Sequence, residues 1–219
     1  MDYETIHVLY RSRKTLLTLL AARGYATKPY EKFGPVEIGA MATASAGASG
    51  AAAFRMDLER ASPDANGIVK CRVEYSINRV KNRISGFLDG LTEEGNESAV
   101  VPETTELIIV LLEPVVEAFH TAAMNALASK SLRVSFFQAH TIVNNPMEHV
   151  LVPKHELVPT TEHPELLAKG KMKKANLPLI KFHQDMIARV MGLLPGDIVK
   201  ITRPSPSAGE YISYRVCVP

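Results

Sequence analysis

The chain has 219 residues, 46% of them hydrophobic and 22% charged, with a formal net charge of +2. This is the balance of a folded globular protein, and the length suits one large domain or two small ones. So small a cationic excess argues against a protein held to nucleic acid mainly by bulk charge, because phosphate binding needs many clustered cations. Cys71 and Cys217 each stand without a second cysteine nearby. That excludes a disulfide scaffold or zinc ribbon and makes a reducing compartment the expectation. The opening Met-Asp-Tyr-Glu has no apolar core, so no signal peptide is expected. No run approaches the ~18 apolar residues of a membrane span.

Ile6, Leu9, Tyr10, Leu16, Leu17 and Leu20 recur at helical spacing and predict a helix over 5–22, closed by Arg23-Gly24. Residues 39–53 hold eight Ala and three Gly. The spacing builds no core there, so a flexible insertion is expected, with an Ala-rich helix as the alternative. After an Asn66-Gly67 turn, Val69, Cys71, Val73 and Tyr75 alternate with Lys70, Arg72 and Glu74, a half-buried strand with the charged set outward. Val80, Ile84, Phe87, Leu88 and Leu91 mark a helix, and residues 92–105 read as an acidic loop. Leu107–Leu112 is a continuous apolar run fit for a central strand. Pro114–Leu127 reads as a helix and 132–136 as another strand. Strand, helix, strand, helix, strand predicts a small α/β sheet with packed helices.

Asn144-Asn145-Pro146 signals a boundary. Beyond it prolines punctuate short segments. Asp185 caps a predicted short helix, Met186–Met191, ending at Gly192. Residues 197–202 and 211–218 read as strands joined by a turn at 204–209. The expected organisation is an α/β domain over 1–146 and a compact α+β domain over 147–219. Charge divides likewise. Residues 1–143 hold 15 basic and 16 acidic side chains, and 144–219 hold 10 and 7.

Catalytic motifs are missing. There is no phosphate-cradling Gly-Lys loop, no nucleophile elbow and no His-Glu-x-x-His helix. His149, His155 and His163 are close in sequence, but zinc sites usually recruit cysteines or tighter histidine pairs, so turn and surface roles are expected. Cys71 falls on the apolar side of its strand and reads as a buried, inert thiol. Lys169, Lys171, Lys173 and Lys174 form the densest basic run, read first as a solvated loop and second as a contact for nucleic acid or an acidic partner.

Four ordered blocks carry a resemblance. Residues 149–155 read HVLVPKH, 172–180 read MKKANLPLI, 185–203 read DMIARVMGLLPGDIVKITR, and 205–215 read SPSAGEYISYR. Together they resemble the fifth-largest subunit shared by the eukaryotic nuclear RNA polymerases and its shorter archaeal counterpart. The first domain resembles that family's N-terminal jaw more weakly, through Leu9-Tyr10-Arg11 and Arg23-Gly24-Tyr25. The archaeal counterpart lacks the jaw, so a two-domain chain points to a eukaryotic or related protein.

The resemblance implies a non-catalytic subunit of DNA-directed RNA polymerase in the nucleus, without cofactor, metal, membrane or small-molecule substrate. Its C-terminal assembly domain would dock on the largest subunit, among other polymerase subunits. The implied assembly residues are Val152, Pro153, Lys154, His155, Leu177, Pro178, Arg189, Gly192, Gly196, Arg203, Gly209, Tyr211, Tyr214 and Arg215. The jaw would lie near downstream duplex DNA, with Arg11, Arg13, Lys14, Arg79, Lys81 and Arg83 as the cationic candidates for weak or indirect DNA contact.

Departures from the family pattern are Met186 in place of proline, Leu194-Pro195 at a usually basic site, Glu210 after Gly209, and the Ala-rich insertion. Glu113 and Glu117 flank the loop nearest DNA in relatives, and their charge would repel phosphate. These changes suggest a divergent lineage, or a paralogue serving one polymerase, such as polymerase I in the nucleolus. The alternative from another class is a free-standing nucleic-acid-binding or regulatory adaptor that borrowed the C-terminal fold.

Overall fold

The computed structural model describes residues 2–44, 54–64, 67–76, 80–92 and 100–219. Among them are six α-helices and two four-stranded sheets, one in each of two compact units, Met1–Asn145 and Pro146–Pro219.

The first unit begins with α1, Tyr3–Ala22, whose predicted apolar face is buried at Leu9, Leu16, Leu17 and Leu20. Its end is set by Gly24, whose φ of 89° is left-handed. That turn lets Tyr25 N–H bond Leu20 O at 3.1 Å and Gly24 N–H bond Ala21 O at 2.9 Å, the paired bonds of a Schellman motif. α1 packs against α2, Pro35–Ala44, and the 3₁₀ turn Ala139–Ile142. α2 corrects the expected insertion over 39–44, where the helical alternative holds. Ile38 and Ala42 are fully buried and anchor it. Residues 45–53 lie outside the described residues, as do Asn66 and Arg79.

The sheet runs β1 (Met56–Glu59), β2 (Lys70–Ser76), β3 (Thr105–Leu111), β4 (Val134–Gln138) in spatial order. β1 is antiparallel to β2, and β2, β3 and β4 are parallel. Parallel neighbours need crossovers, supplied by α3 (Ile84–Thr92) and α4 (Glu117–Lys130). β3 is buried along its whole length, as expected of a strand covered on both faces. Leu107, Ile109 and Leu111 join Val134 and Phe136 beneath Ile84, Leu88, Phe119 and Ala123 of the two crossover helices. On the other face Met56, Leu58, Cys71, Val73 and Tyr75 are buried, and Phe54 tilts against Tyr75 with ring centroids 5.3 Å apart.

Two expectations shift here. α4 starts at Glu117 rather than at Pro114, because residues 112–116 make the turn out of β3. Glu74 is not on an outward charged side. It is buried, because the crossover helices cover that face, and its Oε1 accepts from Arg55 Nε at 2.6 Å.

The second unit orders its strands β5 (Lys154–Val158), β7 (Ile198–Ser205), β8 (Gly209–Val218), β6 (Leu179–Lys181). β5–β7 and β7–β8 are antiparallel and β6–β8 is parallel. α5, His163–Lys169, contributes Leu166 and Leu167 to one face, over Val158, Leu177, Ile198 and Val216. α6, Met186–Met191, precedes β7. The predicted strands are longer than expected. Their hairpin turn shrinks to 206–208, because Ser205 already pairs with Gly209 at φ 73°.

Candidate assembly surface

Part of the four-block pattern holds the second unit together. Asp185 caps α6, its Oδ1 accepting from Ile187 N–H at 2.8 Å and Ala188 N–H at 3.3 Å. This satisfies two donors that a helix start otherwise leaves open. Gly192, at φ 67° and ψ 36°, ends the helix in a Schellman motif, with Leu193 N–H on Ala188 O at 3.0 Å. Gly196, at φ 100°, turns the chain so that its N–H reaches Cys217 O at 2.8 Å. Asp197 Oδ2 accepts from Leu194 N–H at 2.7 Å. Leu177 is buried in the core, and Pro178 O accepts from Val216 N–H at 2.9 Å. Arg215 Nη1 donates to Leu179 O at 3.3 Å, and Tyr214 packs on the core. His155 Nδ1 pairs with Pro153 O at 2.6 Å, which fixes the approach through half-buried Val152-Pro153 into β5. Arg189 is half-buried beside Met186, and burial pushes its pKa down against the pull of Asp185.

The rest of the pattern faces outward. Lys154, Pro178, Arg203, Gly209 and Tyr211 are exposed. Beside them in the chain are apolar side chains left wholly or about half uncovered within the unit: Val150 is 97% exposed, Leu151 83%, Tyr211 58%, Leu179 55% and Ile212 45%. Stranding this much apolar surface in water is unfavourable unless something else buries it.

The β7–β8 hairpin outruns both neighbours. β5 reaches only Thr202 and β6 only Val216, so no strand of this unit lies on the outer sides of Arg203–Ser205 and Gly209–Arg215. Pro204 has no N–H, so Pro204 and Glu210 are not a doubly bonded pair. By alternation, Glu210, Ile212 and Tyr214 turn their main-chain groups away from β7. Val216 is in phase with them and bonds Pro178 O, on that outer side. Glu210 N–H is already taken by Ala208 O at 2.9 Å, so the open part of the β8 edge is the donors and acceptors of Ile212 and Tyr214, beside Tyr211.

The first unit divides the predicted cations. Arg11, Lys14, Lys81 and Arg83 are exposed, and Arg11 Nη2 donates to Asn144 Oδ1 at 2.7 Å. Arg13 is not on this surface. It is 3% exposed and donates through Nη1 to Phe54 O at 3.1 Å. Arg79 lies outside the described residues. Glu113 is not a free charge aimed at solvent, since its Oε1 accepts from Val80 N–H at 2.8 Å and Lys81 N–H at 3.2 Å. Lys81 thus stands beside a carboxylate oxygen that backbone donors already occupy.

Each of the three clustered histidines is engaged locally. His149 Nδ1 accepts from Leu151 N–H at 3.2 Å, and buried His163 pairs through Nε2 with Val158 O at 3.1 Å. Both thiols are buried, and burial pushes Cys71 well up and Cys217 up to about 12. The lysine run begins at the last residue of α5 and continues beyond it, with Lys169, Lys171 and Lys173 exposed and Lys174 half-buried. Sequence reasoning missed the buried ion cluster of Arg23, Asp64, Glu106 and Arg133, whose members are too far apart in the chain to signal one another. It also passed over Val150-Leu151, although an apolar pair before a proline-rich entry was visible.

The second unit is thus a small α+β module of a definite class: caps and glycine turns set its frame, and an overhanging hairpin and apolar rim remain available to a partner. A family model described as RNA polymerase Rpb5, C-terminal domain, matches residues 144–217. The chain is 49% identical over 74 residues to Staphylothermus marinus "DNA-directed RNA polymerase subunit Rpo5", covering 34% of this chain and 80% of that protein. It is 38% identical over 116 residues to Dictyostelium discoideum "DNA-directed RNA polymerases I, II, and III subunit rpabc1", covering 53% of this chain and 58% of that protein. With Caenorhabditis elegans "DNA-directed RNA polymerases I, II, and III subunit RPABC1" it shares 45% identity over 92 residues, covering 42% and 43%. The chain belongs to the Rpb5/Rpo5 family of RNA polymerase subunits. It spans about half the length of the eukaryotic relatives it matches.

Proposed function

We propose that this protein is a structural, non-catalytic subunit of a nuclear DNA-directed RNA polymerase. Residues 146–219 dock on the polymerase's largest subunit through the exposed part of the shared motifs: Lys154, Pro178, Arg203 and Tyr211, with Val150, Leu151, Leu179 and Ile212 as the apolar contact. The observation that carries this reading is the coincidence of the family match with surface left uncovered within the unit. Residues such as Gly192, Gly196 and Leu177 serve the assembly function indirectly, by shaping the module.

Residues 1–145 act as the jaw, near downstream duplex DNA. Arg11, Lys14, Lys81 and Arg83 would supply a weak, long-range attraction that salt screens. Arg13, being buried, adds nothing to that attraction. Glu210, the Leu194-Pro195 pair and the Ala-rich stretch favour a paralogue dedicated to one polymerase, such as polymerase I, which would carry it into the nucleolus.

Affinity purification of the tagged full chain with identification of its partners tests this. Recovery of a polymerase largest subunit is expected, and the set recovered reports which polymerase is served. Recovery of DNA-binding activity with no polymerase subunit would reject the reading in favour of a free-standing adaptor.

A further inference from the structure

A cleft of about 400 Å³ lies against the outer side of α1, lined in part by Arg13, Lys14, Leu17, Tyr30, Glu31 and Phe33. Its floor is unusual. Arg13 is 3% exposed, yet among the described residues its hydrogen bonding is limited to Nη1 on Phe54 O, and its Nε has no acceptor there. No carboxylate among the described residues pairs with it. Glu31 lines the cleft, but its Oε1 accepts from Thr27 Oγ1 at 2.6 Å. Instead the guanidinium carbon lies 5.8 Å from the Tyr30 ring centroid and 5.5 Å from that of Phe33. Ring faces hold a cation less strongly than an ionised acceptor does, and a buried charge lacking such an acceptor is costly. A guanidinium fork, aromatic walls and the apolar side of Leu17 meet in one concavity of a size suited to a small ligand.

We infer that this cleft is a binding site for a monoanionic carboxylate carried on an aromatic or apolar body, with the carboxylate on Arg13 and the body between Tyr30, Phe33 and Leu17. A carboxylate oxygen suits the part of the planar guanidinium that Phe54 O does not occupy. Charge selects the monoanion, because Arg13 and Lys14 against Glu31 leave a local excess of one positive charge, too little for a phosphate dianion. The carboxylate can come from an acidic side chain of a partner protein or from a free organic acid. This site does not depend on the polymerase reading.

The test is a ¹⁵N NMR titration of the full chain with benzoate, and with benzamide as its uncharged counterpart. Benzoate should give saturable shifts confined to residues 10–21 and 28–33. Benzamide should bind about tenfold more weakly, the loss expected for one charge-assisted hydrogen-bonded pair. Thr18 is exposed at the cleft, so Thr18→Trp should block binding while circular dichroism and thermal unfolding stay as in the wild type. Arg13→Lys, which keeps charge but loses the fork, should also weaken binding. Acetyl-Asp-Phe-amide separates the two sources: tighter binding than benzoate assigns the site to a protein side chain, weaker binding assigns it to a free acid, and either supports the carboxylate site. Equal shifts from benzoate and benzamide, shifts elsewhere, unaltered binding by Thr18→Trp, or no saturable shift at all would overturn it.

Discussion

The guanidinium of Arg23, one residue past α1, donates to Glu106 Oε2 in β3 at 2.7 Å, across 83 positions of sequence. Arg133 approaches the same oxygen at 3.6 Å and reaches Asp64 Oδ2 at 3.1 Å. The Arg23 and Arg60 guanidiniums lie over the Tyr25 ring, 5.6 and 5.2 Å from its centroid. The cluster ties the end of α1, the Tyr25–Arg60 bridge and the central sheet into one buried electrostatic unit. Removing one partner leaves uncompensated charge in the core. Glu106→Gln should therefore destabilise the first unit by about 3–5 kcal/mol, read by urea unfolding.

The same carboxylate sets a pH response. Burial opposes its ionisation, but Arg23 and then Arg133 outweigh that and hold its pKa below the ordinary 4.5. A depressed folded-state pKa contributes stability above 4.5, and that contribution disappears as pH falls through the folded value. Glu74, raised mainly by burial, works in the opposite sense, losing stability as pH rises from 4.5 through its folded value. The decisive comparison is wild type against Glu106→Gln. Their stabilities should converge on acidification below 4.5, and curves that stay parallel would show that Glu106 does not carry the effect.

Framework and contact residues of the second unit should separate. Asp185→Ala removes both cap bonds of α6 and should cost about 1 kcal/mol. Gly192→Ala forces a side chain into a left-handed conformation, at about 1–2 kcal/mol. By contrast Val150→Ser with Leu151→Ser should change stability by no more than about 0.5 kcal/mol, since neither side chain is covered. Thermal unfolding beside polymerase recovery in pull-downs distinguishes these, with the exposed pair expected to reduce recovery without lowering the melting temperature.

Neutralising Arg11, Lys14, Lys81 and Arg83 to Gln should weaken downstream-DNA retention by the assembled polymerase and leave assembly intact. Each phosphate deprived of its cation should flatten the salt dependence by about 0.9 in log–log slope. A salt-graded retention assay reads this, and an unchanged slope would show that these cations make no contribution to DNA retention.

Both cysteines should resist a thiol reagent in the native state at pH 8 and react on unfolding. Burial shields Cys71 and Cys217 and disfavours their thiolates. Absorbance with an aromatic disulfide, with and without denaturant, checks it.

Local chemistry was legible wherever periodicity or a backbone requirement writes itself into adjacent residues. The stripe of α1, the apolar run of β3, the Asp185 cap and the Gly192 stop all follow from short-range rules. β1 was missed because it is short, and α2 was read first as a flexible insertion, with a helix only as the alternative, because it is made largely of small residues. α2 became a helix through the burial of Ile38 and Ala42 against the rest of its unit, which no window of sequence displays. Glu74 misled for a related reason: alternation sorts a strand's residues between two faces, but only the neighbouring helices decide whether the second face is wet.

A near-neutral net charge conceals how differently the individual charges are used. The sequence alone determined several elements, among them α1, β3 and α6, and, through four ordered motifs, the family. Tertiary structure alone decided which charges are available for function. It withdrew Glu74 into the interior, moved Arg13 from the outer surface to the floor of a cleft, occupied Glu113 with backbone donors, and left Val150, Leu151 and part of the edge of β8 uncovered within their unit. The reason is physical: burial and pairing depend on what lies across space, and a linear chain carries that information only jointly, through all the residues that must pack.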